Sequence, residues 1–405
     1  MSIFSNFFKK EAPLLGLQGS GGALGFLAGG GAAGLNYFGD GSDGSLSTTG
    51  NVTYTVQNKS GSYDGDTVVK QYSSLTVNSG HTITVDQPCR GLVIYVKGDC
   101  TINGTISMSQ KGGKSNPTLN GGSDNSTVNA SGLRWIFETE TPNGDSLTIS
   151  PNLYAGCGNL LRSVGGSAND IADGTIMSIA RDGSGQPGRP NGDSAGFNGT
   201  AWSFPNNYTV GSGAGGGGSS LQNYQPYPGS AGGGGLGGCF GGGSGGGAAG
   251  GPDWPGNPIP GGENYGGAGG NAYVGAGGAP AYGAGGVGNP PGSNGGGTPS
   301  PVTTYGTGVG GMIVLIVGGT LTLGASASVQ SMGVRGSQVN APATYRMQGG
   351  GSGGGNVMVV AQGFSGVSAG NHVGADPTGK VTAAGGSGNP GGNGGSGGVL
   401  IAQVL

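Results

Sequence analysis

The chain has 405 residues, of which 104 are Gly and 22 are Pro, and only 8% are charged, leaving a formal net charge of −3. Glycine far above the usual ~7% suggests a low-complexity coil, but disordered chains are highly charged and poor in aromatics, whereas this one has 14 Tyr. The run GGCFGGGSGGG keeps no three-residue period, which excludes collagen, and 15 Lys and Arg, unclustered beyond Lys9–Lys10, exclude the basic footprint of a nucleic-acid binder.

Residues 1–40 open with an aromatic patch, Ile3, Phe4, Phe7 and Phe8, followed by Lys9 and Lys10 and then by an uncharged, glycine-diluted stretch. A secretory signal places its charge before a compact apolar core. Here the apolar residues are diluted by glycine throughout, so the segment is read as an anchor that becomes ordered against other subunits, with membrane insertion as its alternative. Residues 41–110 read as the first part of a β scaffold. NVTYTV, SSLTVNSGHTITV and CRGLVIYVKGDCTINGTISM are rich in Val, Ile, Thr and Tyr and are broken by Asn, Gly and Ser. The acidic stretches GDGSDGS and YDGDT lack the full calcium-loop pattern and read as turns.

An internal echo links distant parts of the chain. Val93–Met108 (VIYVKGDCTINGTISM) and Val314–Met332 (VLIVGGTLTLGASASVQSM) each give an apolar strand, a Gly turn at Gly98 or Gly319, and a second alternating strand. The opening recurs in GGNVMVVAQG and GGVLIAQVL. Repeated strand units that cannot bury a face alone signal a stacked architecture. The fold class is therefore all-β, a short-strand sandwich or solenoid-like scaffold with almost no helix, its second part in residues 301–405.

Between the two parts lie residues 111–210, a polar, loop-rich subdomain, and residues 211–300, a glycine-rich region. Polyglycine forms an extended threefold helix without internal hydrogen bonds, so its amides and carbonyls must find neighbours. Helices without side chains can pack backbone to backbone, and dense lateral bonding is needed to offset the entropy lost by glycine. A polyglycine-II-like lattice is expected there. The islands LQNYQPYPGS, PDWPGNPIP, ENY, NAYV and PAY then become loops at the lattice ends, and rigid aromatics on proline-stiffened loops make good contact surfaces. Tyr224, Tyr227, Trp254, Tyr265, Tyr273 and Tyr282 are the candidate receptor-binding residues, with spacer packing as their alternative role.

No enzyme chemistry is legible. GGKS at 112–115 lacks the first Gly of a phosphate loop, which would fall at Met108. His81 and His372 belong to no metal spacing, and GxSxG is absent. Cys89, Cys100, Cys157 and Cys239 have no CxxC spacing, so neither a metal nor another cofactor is expected. The cysteines read as buried thiols, with a disulfide between Cys89 and Cys100 left open.

GAGGGGSSLQNYQPYPGSAGGGG and GGENYGGAGGNAYVGAGGAP resemble the glycine-rich distal adhesins of bacteriophage tail fibres, in which polyglycine-II helices form a sandwich and the loops recognise the bacterial surface. GLVIYVKGDCTINGTISM and MSIFSNFFKKEAPLLGLQGSGGALGF are similar to glycine-rich virion proteins of tailed phages. The resemblance implies a non-enzymatic component on the surface of a virion, a tail-fibre or spike protein that attaches to the host. Its implied partners are other tail or capsid proteins and a host-surface glycan or outer-membrane protein, and it implies a homo-oligomer, with a trimer as the first expectation. Two alternatives stand beside it: a capsid decoration or appendage protein with a purely structural role, and a depolymerase spike, which needs paired acidic residues in a groove.

Overall fold

In the computed structural model, residues 38–59, 61–113, 133–139, 148–155, 198–199, 201–204, 209–216, 237, 240–246, 253–254, 257–258, 287–289, 302–303, 305–339, 347–388 and 391–403 are described. They form strands and extended segments and no helix, in agreement with an all-β chain. The first strands are β1 (Ser45–Ser47), β2 (Val52–Tyr54), β3 (Val68–Tyr72), β4 (Ser74–Val77), β5 (Thr82–Val85), β6 (Leu92–Val96), β7 (Cys100–Ile102) and β8 (Thr105–Ser107). The middle of the chain adds β9 (Leu133–Thr139), β10 (Thr148–Ala155), β11 (Thr209–Val210), β12 (Asp253–Trp254), β13 (Asn257–Pro258) and β14 (Val302–Thr303). The last part holds β15 (Met312–Leu323), β16 (Ser328–Gln330), β17 (Gln338–Val339), β18 (Met347–Gln348), β19 (Asn356–Ser365), β20 (Gly370–Val373), β21 (Val381–Thr382) and β22 (Gly398–Gln403).

Two sheets dominate. The larger has the order β1-β4-β7-β15-β19-β22-β20, with β3 and β6 pairing beside β15, and the smaller has the order β2-β5-β8-β16-β21. The chain passes from a leg of the larger sheet to a leg of the smaller one, then starts the next rung, and the rungs stack in parallel like a solenoid. In the larger sheet only β20 runs antiparallel, on β22. The echo between Val93–Met108 and Val314–Met332 is the pairing register of adjacent rungs: Val93 opposes Val314, Cys100 opposes Leu321, Ile102 opposes Leu323 and Ile106 opposes Val329. The chain between β8 and β15 is an excursion inserted between neighbouring rungs.

The expected Gly turns at Gly98 and Gly319 are kinks instead of reversals. β6 and β7 pair with two halves of one continuous strand, β15, whose register on β19 shifts between Val317 and Thr320. The kinks align across the sheet: Gly98 N donates to Ser73 O at 2.9 Å, and Thr320 N donates to Asp99 Oδ1 at 2.8 Å.

The core lies between the two sheets. Register places Leu92, Ile313, Val357 and Val399 in one row and Ile94, Leu315, Val359 and Ile401 in the next, all buried, each contributing about 1.5–3 kcal/mol by leaving water. The first six residues of both β15 and β19 are buried on both faces, which explains why MIVLIV and the VMVVA that follows Asn356 are continuous apolar runs and do not alternate. Past the kink, β7 and β8 alternate buried and half-buried positions.

Where the strands begin, glycine dominates and the architecture changes. Residues 308–311, 349–355 and 391–397 lead into β15, β19 and β22, while 331–337 and 383–388 continue β16 and β21 away from the sheets. The excursion adds 211–216 and 241–246. These rods bond laterally at every third residue: Gly243 and Gly246 N donate to Gly213 and Gly216 O, Gly353 and Gly350 N to Gly243 and Gly246 O, and Gly351 and Gly354 N to Gly392 and Gly395 O. This is the periodicity of polyglycine II. The central rod, 349–355, is bonded to six others: 211–216, 241–246, 308–311, 331–337, 383–388 and 391–397. A Cβ at Gly215 would fall on Ser244 O, and one at Gly336 on Gly349 O, so the close packing requires glycine. In the sandwich the two sheets are held apart by core side chains. In the lattice their continuations bond directly, as Ser352 N does to Val334 O at 3.0 Å and Gly386 N to Ser352 O at 2.8 Å. The lattice therefore draws on residues beyond 211–300, because glycine runs also precede the strands of the second scaffold part.

The Cys89–Cys100 disulfide left open by the sequence is not formed; both thiols are free and buried. Cys89 precedes β6 and bridges Gly112, whereas Cys100 follows β6 and pairs with Leu321 far along β15. The five residues of β6 between them extend over roughly 16 Å, beyond the ~7 Å Cα separation a disulfide tolerates.

Candidate functional site

Rod directions define an end of the lattice remote from the sheets. Rod 349–355 runs toward the sheets, since Asn356 begins β19. Rods 211–216 and 241–246 run against it and parallel to each other, so Gly216 and Gly246 both lie at the end of the lattice remote from the sheets. Rods 331–337 and 383–388 run outward as well. The chain that leaves at Gly216 goes on to Tyr224 and Tyr227. The chain that leaves at Gly246 goes on to Trp254, Tyr265, Tyr273 and Tyr282, and is back beside the same rod at Val287, whose carbonyl accepts from Gly245 N at 2.9 Å.

Of the six aromatic candidates, Trp254 alone lies among the described residues, in a ribbon where it pairs antiparallel with Asn257 and Asp253 with Pro258. Tyr224, Tyr227, Tyr265, Tyr273 and Tyr282 lie outside the described residues, as do Ile3, Phe4, Phe7 and Phe8. The first described residue, Phe38, packs where a Cβ on Gly318 would fall, midway along β15 and away from the remote end.

Side chains lock the excursion to the scaffold. Asn289 Nδ2 donates to Tyr63 O and Gly112 O, each at 2.6 Å, tying the returning chain to the first rungs. Asn356 Nδ2 donates to Ser212 Oγ at 3.0 Å at the junction of lattice and sheet. Buried Trp202 covers Gly211 and Gly398, where any Cβ would strike its ring, and stands edge-on to Phe204 at 6.5 Å and 83°.

The remote end also carries a constellation that the sequence reading assigned to the scaffold. β14, β17 and β18 form a small antiparallel sheet. Beside it, the Arg335 guanidinium lies 4.3 Å from the centroid of the Tyr305 ring, and Tyr305 Oη donates to Gln338 Oε1 at 3.3 Å. Tyr305 is 40% exposed. The available signal was an arginine within MGVRGS, a glycine-rich run with no acidic neighbour.

The titratable groups elsewhere serve the scaffold. Asp64 pairs with Arg90 at 3.1 Å. Tyr54 and Tyr72 share a hydroxyl–hydroxyl bond of 2.6 Å, and burial, with that bond, pushes the Tyr54 phenol far above its ordinary value. His81 Nδ1 lies 2.9 Å from Thr48 Oγ1, and His372 stands in β20 opposite Val399. Among the described residues no three His, Cys, Asp or Glu side chains gather where they would hold a metal ion, and no helix is long and apolar enough to cross a membrane.

Comparison of the chain with known protein families, with curated proteins and with solved structures finds no match.

Proposed function

We propose that this protein is a structural component of a tailed-phage virion, a tail-fibre or spike protein that attaches to the bacterial surface through aromatic loops at the remote end of the glycine lattice. One observation carries the reading. Rods 211–216 and 241–246 point the same way, so the segments bearing all six aromatic candidates leave the lattice at one end. A rigid base from which Tyr- and Trp-bearing segments leave at a single end favours binding, because aromatic anchors on a preorganised surface lose little entropy on contact. The opposite placement of Phe38 suits a particle anchor in residues 1–40. Recognition is non-covalent, with rings stacked on sugars or receptor loops and Asn, Gln and backbone amides fixing orientation.

Adsorption of the purified whole chain to a panel of bacterial cells tests the reading. The double variant Trp254→Ala/Tyr227→Ala, with an unchanged melting temperature, is expected to lose at least tenfold in binding. Equal adsorption by wild type and variant, or none by wild type, removes the adhesin reading and leaves a purely structural decoration or appendage protein.

A further inference from the structure

The Tyr305–Arg335 pair meets no acidic partner among the described residues. The ion pairs among the described residues are Lys59–Asp86, Lys70–Asp43 and Arg90–Asp64. Arg335 meets no carboxylate among those residues, and its Nε is buried without a hydrogen-bond partner. A guanidinium has five donors in a planar fork suited to bidentate capture of carboxylate or phosphate. A solvated surface arginine would leave that fork floppy, and this one is held from two sides.

The backbone of rod 331–337 is fixed around Arg335. Val334 N donates to Ser352 Oγ at 2.8 Å, Val334 O accepts from Ser352 N, and Gly336 N donates to Ser387 O at 3.0 Å. The ring beneath is fixed as well. Tyr305 is held through its hydroxyl by Gln338, itself paired with Thr303 and Gln348 in the small sheet. Gly306, which follows Tyr305, has φ +117 and leaves no room for a side chain beside Gln110. Stacking on the aromatic face orients the guanidinium plane and leaves its edge for a ligand. An exposed aromatic edge beside an unpaired guanidinium suits a sugar ring that carries an anionic group.

We infer that Tyr305 and Arg335 form a binding site for an anionic saccharide, with Arg335 taking the carboxylate or phosphate and Tyr305 the adjoining ring. The inference rests on the proposed attachment role, and it adds a ligand class and two residues outside the glycine-rich loops.

The test is calorimetric titration of the whole protein with oligogalacturonate, polyglycerol phosphate and neutral dextran oligomers, alongside cell adsorption. Oligogalacturonate or polyglycerol phosphate should bind, and the stronger of the two identifies carboxylate or phosphate as the anion. Dextran should bind at least tenfold more weakly. Arg335→Ala should lose at least tenfold, Arg335→Lys should recover part of that, and Tyr305→Ala should lose several-fold, all at an unchanged melting temperature. Raising the salt concentration should weaken wild-type binding and leave Arg335→Ala unaffected. Absence of anion binding, or equal affinity of wild type and Arg335→Ala, overturns the site. If wild type adsorbs to cells and Arg335→Ala adsorbs equally, this site is wrong and the attachment role stands. If anions bind through Arg335 and no cells are adsorbed, the attachment role is wrong and the site stands.

Discussion

Gly353→Ala is the most direct test of the lattice. A methyl there would fall on the Gly213 carbonyl oxygen and lie 2.7 Å from the Gly213 carbonyl carbon and 2.8 Å from the Gly243 amide nitrogen, where ordinary contact begins at 3.4 Å. Rods 211–216 and 241–246 must therefore move off the central rod by roughly 1 Å or more, since no flexible side chain is present to yield. That movement stretches Gly353 N to Gly243 O, 2.7 Å, and Gly213 N to Gly354 O, 2.9 Å. Two buried amides left poorly paired cost about 1–3 kcal/mol each, and overpacking costs about 1–3 kcal/mol more. Reduced entropy of the unfolded chain returns about 0.4–1 kcal/mol. The net expectation is a loss of about 2–9 kcal/mol.

Gly50→Ala is the matched control, because a Cβ at Gly50 meets nothing within 4 Å. It carries the same unfolded-state gain without the clash and should be neutral or slightly stabilising. In urea, with an m-value of about 3 kcal/mol/M, the two midpoints should separate by at least about 0.7 M. Amide exchange at 211–216 and 241–246 should accelerate in Gly353→Ala alone. Coincident midpoints and unchanged exchange would refute the backbone-to-backbone lattice.

Three further outcomes check the scaffold. Leu315→Ala, in the fully buried row with Ile94, Val359 and Ile401, should cost about 2–5 kcal/mol in the same urea assay, the range for a large-to-small core change. Burial would raise the Asp376 carboxyl, but hydrogen bonds from Thr378 and from the backbone of Val381 and Lys380 outweigh it and hold the group below its ordinary value. Its stabilisation is therefore complete above about pH 4 and is lost as the pH falls through the folded-state value. The stability difference between wild type and Asp376→Asn should be constant from neutral pH to about 4 and close below it. Burial also pushes the Cys89 thiol up to about 11 and raises that of Cys100. Peptide mapping after alkylation at pH 8 should find both unmodified in the native protein and modified in urea.

What the sequence made legible was periodic. The strand unit around Val93 and its echo around Val314 carried the rung, because stacked rungs repeat one inside–outside pattern and so leave a repeat in the chain. The Gly98 and Gly319 kinks looked like turns because a glycine between two apolar runs has the same local signature whether the chain reverses or only bends. Only pairing with an uninterrupted β15 distinguishes the two. The reach of the lattice was hidden for a related reason: glycines before Asn356 and Gly398 read as the ends of strands, although each run continues its strand as a rod. Tyr305 and Arg335 are 30 residues apart in sequence, and nothing local announces that rods 308–311 and 331–337 bring them together.

The arrangement also fixes the two ends of the excursion. Closing a loop costs entropy that grows slowly with its length, and the ends must be held by something. At the excursion that leaves at Gly246 and returns at Val287, the holding contact is a hydrogen bond between backbones, Gly245 N to Val287 O, with Asn289 clamped on Tyr63 and Gly112 just beyond. None of these bonds uses a side chain of the intervening segment. The rods ask for glycine where backbones touch, and none of these end contacts depends on the sequence between Gly246 and Val287. Under the proposed attachment role, such a base would let the sequence between Gly246 and Val287 change while its ends stay fixed, which suits a binding surface.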